Sequence, residues 1–284
     1  MNHPLNPPAM VALTIAGFDP SGGAGVVADL KTFAANNCYG VAAITALTAQ
    51  NSHGVSALKP VEAKLLRETI LSLLADGRVR AIKIGMVANR QNAEVVREIL
   101  DANPALPSVL DPIYRSTSGR ELVDENGFEY LRKELLSRVT VVTPNMEEAA
   151  ALTSLKVSNV EEMKVAAHKL IAMGARNVVV TGGHLDKAVD ILCEGAKLQT
   201  LAGDRMKAEN LHGAGCTFSS AVAANLALGR HLEDAVVLAK AYVTEAIRKA
   251  YAIGPGLIPL NHLYRLQQSP RPADDAPPVP EATH

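Results

Sequence analysis

The chain has 284 residues, 48% of them hydrophobic, and its 28 Lys and Arg against 29 Asp and Glu leave a net charge of -1. That length supports a full hydrophobic core, and the balanced charge excludes a basic surface for nucleic acid. Tryptophan is absent and aromatic residues make up 4%, which argues against stacking platforms for bases. We therefore expect no nucleic-acid partner.

The cysteines indicate a reducing compartment. Cys38, Cys193 and Cys216 are odd in number, far apart and outside any Cys-x-x-Cys pair, so neither disulfides nor structural zinc is expected. No apolar run approaches the ~20 residues needed to cross a bilayer, and residues 1–10 do not read as a signal peptide. We expect a cytoplasmic protein with no membrane partner.

Short apolar runs alternate with longer amphipathic stretches along the chain, which is typical of β-α-β units. Strands are predicted at 11–16, 41–46, 81–84, 109–111, 139–143 and 177–181. Helices are predicted at 24–36, 62–75, 92–102, 127–136 and 160–173. The pattern predicts an α/β fold with a mainly parallel sheet covered on both faces.

The pattern changes after residue 181. An antiparallel hairpin is predicted at 188–193 and 197–201, followed by helices at 217–228 and 232–252. Because no linker or repeat interrupts the chain, residues 11–266 are predicted to form one domain. Residues 1–10 are predicted to be a flexible start, and 267–284 a disordered, Pro-rich tail.

Residues 212–217 (His-Gly-Ala-Gly-Cys-Thr) combine a glycine-rich turn, a thiol and a predicted helix start. A helix that opens near Gly215 would leave amides free to bind a phosphate. The same helix end would lower the pKa of Cys216 toward the thiolate. The alternative is a tight turn followed by a small buried cysteine, and this segment alone favours neither.

The loop after the first strand, residues 17–25 (Gly-Phe-Asp-Pro-Ser-Gly-Gly-Ala-Gly), superficially resembles two nucleotide motifs. It lacks the Lys-Ser/Thr of a Walker loop, and its dinucleotide-like glycines lie too far beyond the strand. The loop either brings backbone close to a small ligand or forms a turn and helix cap without ligand contact.

Polar residues follow three later strands, where ligands bind in doubly wound sheets. Asp111 and Glu148, with Asn145, could organise Mg²⁺ at adjacent strand ends. Asn145 followed by Glu148 is also a good capping-box pattern, and the pair taken alone favours capping over a metal site. Thr181 and Gly183 could approach a nucleotide, or they could form a plain strand-to-turn transition.

The motifs together resemble the hydroxymethylpyrimidine and phosphomethylpyrimidine kinases of thiamin biosynthesis. The resemblance spans about residues 11–260 and is carried by the following segments: residues 17–25, 28–33 (Ala-Asp-Leu-Lys-Thr-Phe), 44–51 (Ile-Thr-Ala-Leu-Thr-Ala-Gln-Asn), 83–86 (Lys-Ile-Gly-Met), 111–112 (Asp-Pro), 143–148 (Thr-Pro-Asn-Met-Glu-Glu), 182–185 (Gly-Gly-His-Leu) and 212–217. It implies a ribokinase-like three-layer α/β/α sandwich and a homodimer.

The resemblance also implies an activity, the transfer of the ATP γ-phosphate to 4-amino-5-hydroxymethyl-2-methylpyrimidine or its monophosphate. Gln50 would read the aminopyrimidine, because one amide offers both a donor and an acceptor. Met86 would pack on the ring. The residues implied to line the pyrimidine pocket are Gly17, Asp29, Gln50, Met86 and Ile113.

The remaining implied roles concern phosphoryl transfer. Cys216 would act as the base, and the amides of residues 213–216 would stabilise the transferred phosphoryl group. The residues implied to take part are Gly213, Ala214, Gly215 and Cys216 in catalysis, Asp111 and Glu148 at Mg²⁺, and Asn145, Thr181 and Gly183 at ATP.

The chain departs from the family pattern at two cationic positions, where Thr117 and Thr181 stand in place of lysines. This loss reduces the positive charge beside a triphosphate unless Arg115 or another cation reaches in. The alternatives are a pyridoxine or pyridoxal kinase of the same fold and a pyrimidine-binding protein with impaired catalysis. An NAD-dependent oxidoreductase ranks last, because no ribose-binding acid is present.

Overall fold

The structure is a computed structural model that describes residues 10–117, 119–183, 188–203 and 210–266. The predicted flexible start and disordered tail lie outside these ranges, except that Met10 begins the first strand. The flexible start, the disordered tail and the single domain stay predictions.

The elements follow the predicted alternation closely. The strands are β1 (Met10–Phe18), β2 (Cys38–Asn51), β3 (Gly54–Pro60), β4 (Val79–Ile84), β5 (Ser108–Leu110), β6 (Val141–Val142), β7 (Asn177–Gly182), β8 (Ala188–Glu194), β9 (Lys197–Gly203), β10 (Leu211–His212) and β11 (Ile258–Pro259). The helices are α1 (Gly25–Ala35), α2 (Ala63–Ala75), α3 (Arg90–Ala102), α4 (Glu125–Tyr130), α5 (Met146–Thr153), α6 (Val160–Ala172), α7 (Ala214–Ala227) and α8 (Leu232–Arg248).

A nine-stranded sheet of order β3-β2-β1-β4-β5-β6-β7-β8-β9 forms the centre of the molecule. In this order the six strands β2, β1, β4, β5, β6 and β7 run parallel to one another, whereas β3 pairs antiparallel with β2, β8 with β7 and β9 with β8. The predicted α/β fold with a mainly parallel sheet is confirmed, and so is the hairpin of β8 and β9.

The order of the strands positions the site. From β1 the chain first adds β2 on one side and later adds β4 on the other side. Helices that follow such a reversal lie on opposite faces of the sheet, so a crevice opens at the carboxyl ends of β1 and β4. The motifs of the sequence follow these strand ends.

Alternation along the strands divides the core into two layers. On β1 and β4, Leu13 and Ile82 belong to one buried cluster, whereas Ala12 and Ala81 belong to the other. The alanine side packs against α7, whose residues from Cys216 to Ala227 are all buried. Small side chains on both partners let this helix lie close to the sheet, directly beneath the crevice.

The structure differs from the sequence prediction at element ends and in short elements. The strand β3 and the helix α5 were not predicted, and the predicted last helix (232–252) ends at Arg248. The prediction at 127–136 corresponds to α4 followed by a π-helical turn, Leu131–Leu135. No helix in the described part of the chain is long and apolar enough to cross a membrane.

Candidate active site

A buried ion pair lies between the sheet and the helices α1 and α7. Lys83 of β4 is fully buried, and its Nζ lies 3.1 Å from both carboxylate oxygens of Asp29 on α1. The Asp29 carboxylate also accepts hydrogen bonds from Thr14 Oγ1 at 2.6 Å and from Ser220 Oγ at 2.6 Å. Its lone pairs are therefore used inside the protein, which offsets the cost of burying both charges.

The same arrangement bears on one predicted role. Asp29 was predicted to line the substrate pocket; in the structure it is 0% exposed, and its observed partners are protein atoms. Its place beside a substrate stays a prediction. Asp29 supports the site by holding Lys83.

The Lys83 ammonium extends the cluster toward the helix start. Its Nζ lies 3.8 Å from Asp111 Oδ2, which accepts a hydrogen bond from Ser219 Oγ at 3.1 Å. Burial alone would lower the pKa of Lys83, but the negative charges of Asp29 and Asp111 raise this pKa above its ordinary value. Lys83 is thus a permanent positive charge beneath the site.

The thiol of Cys216 lies at the upper end of this cluster, within hydrogen-bonding reach of Asp111. Burial raises its pKa above the ordinary range; Lys83 opposes this shift, whereas Asp111 and Asp29 add to it. The predicted lowering of this pKa is wrong for the ligand-free protein, because burial and two nearby carboxylates raise the pKa. Cys216 keeps 6% exposure.

The turn before α7 is shaped by close backbone contact. Gly213 has φ +87°, and a Cβ there would lie 1.8 Å from the carbonyl oxygen of Gly23 in the first loop. Only glycine fits both constraints. The helix then begins at Ala214, so the amides of its first turn have no partners within the helix and suit an anion. The predicted helix start in this segment is confirmed.

The predicted ring-binding residues, apart from Asp29, lie at the carboxyl ends of β1, β2, β4 and β5. A Cβ on Gly17 would lie 1.9 Å from Met86 Cε, so the Met86 side chain rests directly on the Gly17 backbone. The Gln50 side chain is half-buried, and its amide nitrogen lies 3.0 Å from His212 Nε2. Ile113 is half-buried two residues beyond Asp111. Their roles toward a substrate stay predictions.

Asn145 and Glu148 form the capping box that the sequence offered as an alternative. The Asn145 side chain accepts from the Glu148 amide at 2.8 Å, and Glu148 Oε2 accepts from the Asn145 amide at 2.8 Å. Burial, followed by the charge of Asp111, raises the pKa of Glu148 to about 8. The cap therefore uses one carboxylate oxygen of Glu148, and the negative charge of Asp111 disfavours ionisation of the Glu148 carboxyl group.

These carboxyl groups fit a hydrated dication bound with a nucleotide. Burial raises the pKa of Asp111 as well, and the two carboxyl groups disfavour each other's ionisation. A divalent cation would relieve that repulsion. Among the described residues no group of three or more His, Cys, Asp or Glu could hold a metal alone, so the remaining ligands would be water and phosphate oxygens.

The predicted nucleotide residues lie beside this capping box. The Thr181 amide donates to the carbonyl of Pro144 at 2.9 Å, and Thr181 forms a parallel bridge with Asn145. A Cβ on Gly183 would meet no atom within 4 Å, which leaves space for close approach to the backbone. His184 lies outside the described residues.

The structure also reveals residues that the sequence analysis left without a role. Lys83 lies inside a quoted motif, and a lysine within an otherwise apolar strand was the available signal. Asp19 and His212 contact each other at 2.9 Å. Thr117, at one of the departures from the family, lies 3.4 Å from His212 Nδ1, whereas Arg115 is exposed and pairs with Glu121.

A separate cavity of about 440 Å³ opens at the other edge of the sheet, near the amino ends of β4 and β5. Its walls carry no titratable side chain; they are formed by Leu74, Gly77, Val79, Ala102, Asn103, Pro104, Ala105 and Leu106. The titratable side chains described above therefore lie at the carboxyl ends of the strands, on the opposite edge of the sheet from this cavity.

The comparisons with known proteins agree with this geometry. The family model described as phosphomethylpyrimidine kinase matches residues 19–261. The chain belongs to the phosphomethylpyrimidine kinase family. It is a kinase, and its ribokinase-like fold is shared with the solved structures below.

Three of its relatives are informative. A hydroxymethylpyrimidine/phosphomethylpyrimidine kinase of Aquifex aeolicus is 40% identical over 249 residues, which is 87% of this chain and 98% of that protein. A phosphomethylpyrimidine kinase structure from Clostridium difficile matches with TM-score 0.74 and 40% identity over 84% of this chain and 99% of that one. A pyridoxal kinase from Staphylococcus aureus, in complex with AMP-PCP and pyridoxal, matches with TM-score 0.81 and 35% identity. The match covers 89% of this chain and 93% of that one.

The buried ion pair gives a stability prediction. Lys83→Met leaves the Asp29 carboxylate buried without its cation, so we expect the free energy of unfolding to fall by about 3–5 kcal/mol. Arg67→Met removes an exposed ion pair with Glu98 and should cost less than about 1 kcal/mol. Urea denaturation of both variants measures the difference, and equal losses would contradict the assigned role of Lys83.

Proposed function

We propose that this kinase transfers the γ-phosphate of ATP to the hydroxymethyl group of 4-amino-5-hydroxymethyl-2-methylpyrimidine, or to its monophosphate, in thiamin biosynthesis. The observation that carries the proposal is the contact between Gln50 and His212, 3.0 Å apart. His212 directly precedes the turn that leads to Cys216, so a ring held by Gln50 is bound close to the thiol. Membership of the family supports the same substrate class.

The reacting hydroxyl would lie between Cys216 and the first amides of α7. The Cys216 thiol first loses its own proton to solvent; the thiolate then takes the hydroxyl proton while the oxygen forms its bond to the γ-phosphorus and the bond to the leaving ADP oxygen breaks. The free amides at Ala214 and Gly215 stabilise the charge on the transferred group. Lys83 is the buried cation that favours the thiolate.

The nucleotide would bind along the strand ends of β6 and β7. Thr181 and Gly183 line its approach, and Asp111, Glu148 and Asn145 would hold the waters of Mg²⁺. When bound, Mg²⁺ neutralises charge on the β- and γ-phosphates. An AMP-PCP complex of a 35% identical structure supports ATP as the donor. The homodimer and the cytoplasmic location stay predictions.

Pyridoxal is the second candidate substrate. The Staphylococcus aureus pyridoxal kinase, which is described with pyridoxal bound, has the same fold at TM-score 0.81. Gln50 and Met86 favour the pyrimidine, because the amide matches the donor and acceptor of an aminopyrimidine edge. A binding protein with impaired catalysis is disfavoured by the retained Cys216.

An ATP-consumption assay tests the proposal directly. Purified full-length protein is given ATP and Mg²⁺ with hydroxymethylpyrimidine, its monophosphate or pyridoxal. We expect the higher kcat/KM on a pyrimidine. Preference for pyridoxal would reassign the substrate, and no turnover of any of the three would contradict the kinase assignment.

Substitution of the thiol tests the base. Cys216→Ala should lower kcat by roughly 10²- to 10⁴-fold, because general-base assistance contributes that range. Pyrimidine affinity should remain close to that of the unmodified protein. Cys193→Ala removes another buried cysteine and should leave kcat within about twofold. Near-normal turnover of the Cys216 variant would remove Cys216 from the proposed role.

Truncation of the amide tests ring recognition. Gln50→Ala should raise the KM for hydroxymethylpyrimidine by roughly 10-fold, since the ring loses hydrogen bonds that Gln50 supplies. The effect on kcat should be smaller. Gln199→Ala, which changes an amide bound to Glu233 on another edge of the molecule, is the matched control. An unchanged KM in the Gln50 variant would show that another residue reads the ring.

A further inference from the structure

His212 lies where three segments of the site meet. Its Nε2 lies 2.9 Å from Asp19 Oδ2 and 3.0 Å from the amide nitrogen of Gln50, and its Nδ1 lies 3.4 Å from Thr117 Oγ1. The residue is only 7% exposed. Because buried polar atoms are satisfied by their neighbours, these contacts decide which ring nitrogen carries hydrogen.

Asp19 can only accept hydrogen bonds from the groups around it. Oδ1 accepts from the amide and hydroxyl of Ser21 at 2.8 and 2.7 Å, and Oδ2 accepts from the Ala24 amide at 2.9 Å. Burial alone would raise the pKa of Asp19, but hydrogen bonds from His212 and Ser21 hold this pKa below its ordinary value. His212 Nε2 therefore carries a hydrogen and donates it to the Asp19 carboxylate.

That hydrogen determines the orientation of the Gln50 amide. A protonated Nε2 has no free lone pair, so it cannot accept from an amide NH₂ group. Oxygen and nitrogen of an amide are assigned from their hydrogen-bond partners. The consistent assignment turns the Gln50 carbonyl oxygen toward His212, where it shares the Nε2 hydrogen with Asp19, and turns the NH₂ group toward Thr48.

Thr48 independently supports this orientation. Its hydroxyl donates to the carbonyl of Phe18 at 2.9 Å, and the same Oγ1 lies 3.3 Å from the Gln50 atom placed as Oε1, which the reassignment makes the NH₂ nitrogen. With its hydrogen used on Phe18, Thr48 offers a lone pair to Gln50. A chain of matched donors and acceptors then runs from Gln50 through Thr48 to Phe18, and from His212 to Asp19.

We propose that His212 and Asp19 are positioning residues that fix the orientation of the Gln50 amide and thereby select an aminopyrimidine over a pyridine ring. This inference rests on the proposed function, because it concerns which ring the kinase phosphorylates. It assigns a role to His212 and Asp19 that the phosphoryl-transfer chemistry does not require.

The chemistry of the two rings explains the selection. An aminopyrimidine edge presents a ring nitrogen that accepts and an adjacent amine that donates, so it matches a fixed amide in one register. Pyridoxal presents a phenolic hydroxyl, which can donate or accept and adapts to either amide orientation. Release of the Gln50 amide should therefore harm recognition of the pyrimidine more than recognition of pyridoxal.

The first test compares KM and kcat for hydroxymethylpyrimidine and pyridoxal in full-length variants. His212→Leu should raise the pyrimidine KM by roughly 10-fold and change the pyridoxal KM far less. His212→Gln keeps an amide hydrogen for Asp19 and should retain part of the preference. His231→Gln, at an exposed histidine that starts α8, is the control. Equal changes for both rings in the Leu variant would overturn the proposal.

The second test needs no turnover and no substitution. Long-range ¹H–¹⁵N NMR of the ligand-free protein reports which ring nitrogen of His212 is protonated. We expect a hydrogen on Nε2. A bare Nε2 with hydrogen only on Nδ1 would overturn the proposal, even if the kinase prefers pyrimidines. Conversely, a protein that phosphorylates neither ring would contradict the proposed function while this NMR result still decides the orientation of Gln50.

Discussion

The buried ammonium of Lys83 is the constraint on which the rest of the site depends. It lies on the sheet beneath the crevice and is shared by the carboxylates of Asp29 and, at greater distance, Asp111. Because Asp29 belongs to α1 and its further partner Ser220 belongs to α7, one charge joins a strand and two helices. The helix start that carries Cys216 is thereby held in a defined place above the sheet.

In this crevice the same side chains both stabilise local backbone structure and point toward the proposed ligands. The pair of Asn145 and Glu148 caps α5 and, in the proposed mechanism, also faces the hydrated metal. The loop at residues 17–25 leads into α1, binds the Ala24 amide through Asp19 and at the same time offers Asp19 to His212. Capping and ligand binding therefore need not be alternatives, because a cap at the carboxyl edge of a parallel sheet already points polar atoms at the crevice.

Much of the fold could be predicted from periodicity, since β1, β4 and β7 are apolar runs bounded by glycine or polar turns. The position of Asp111 at a strand end followed from the same alternation, whereas Gln50 and Met86 were singled out only by the resemblance to the family. The sequence misled where a property depends on burial: the raised pKa of Cys216 arises from how α1 and α7 pack against the sheet. Local patterns carry no information on such contacts between distant segments.

The central claim is that the hydroxymethyl oxygen of a pyrimidine bound at Gln50 lies beside the Cys216 sulfur. A crystal structure with hydroxymethylpyrimidine and AMP-PCP measures that separation most directly. The account predicts an oxygen-to-sulfur distance of about 3–3.5 Å, as required of reacting groups. A ring bound away from Gln50, or a hydroxyl separated from Cys216 by another side chain, would contradict it.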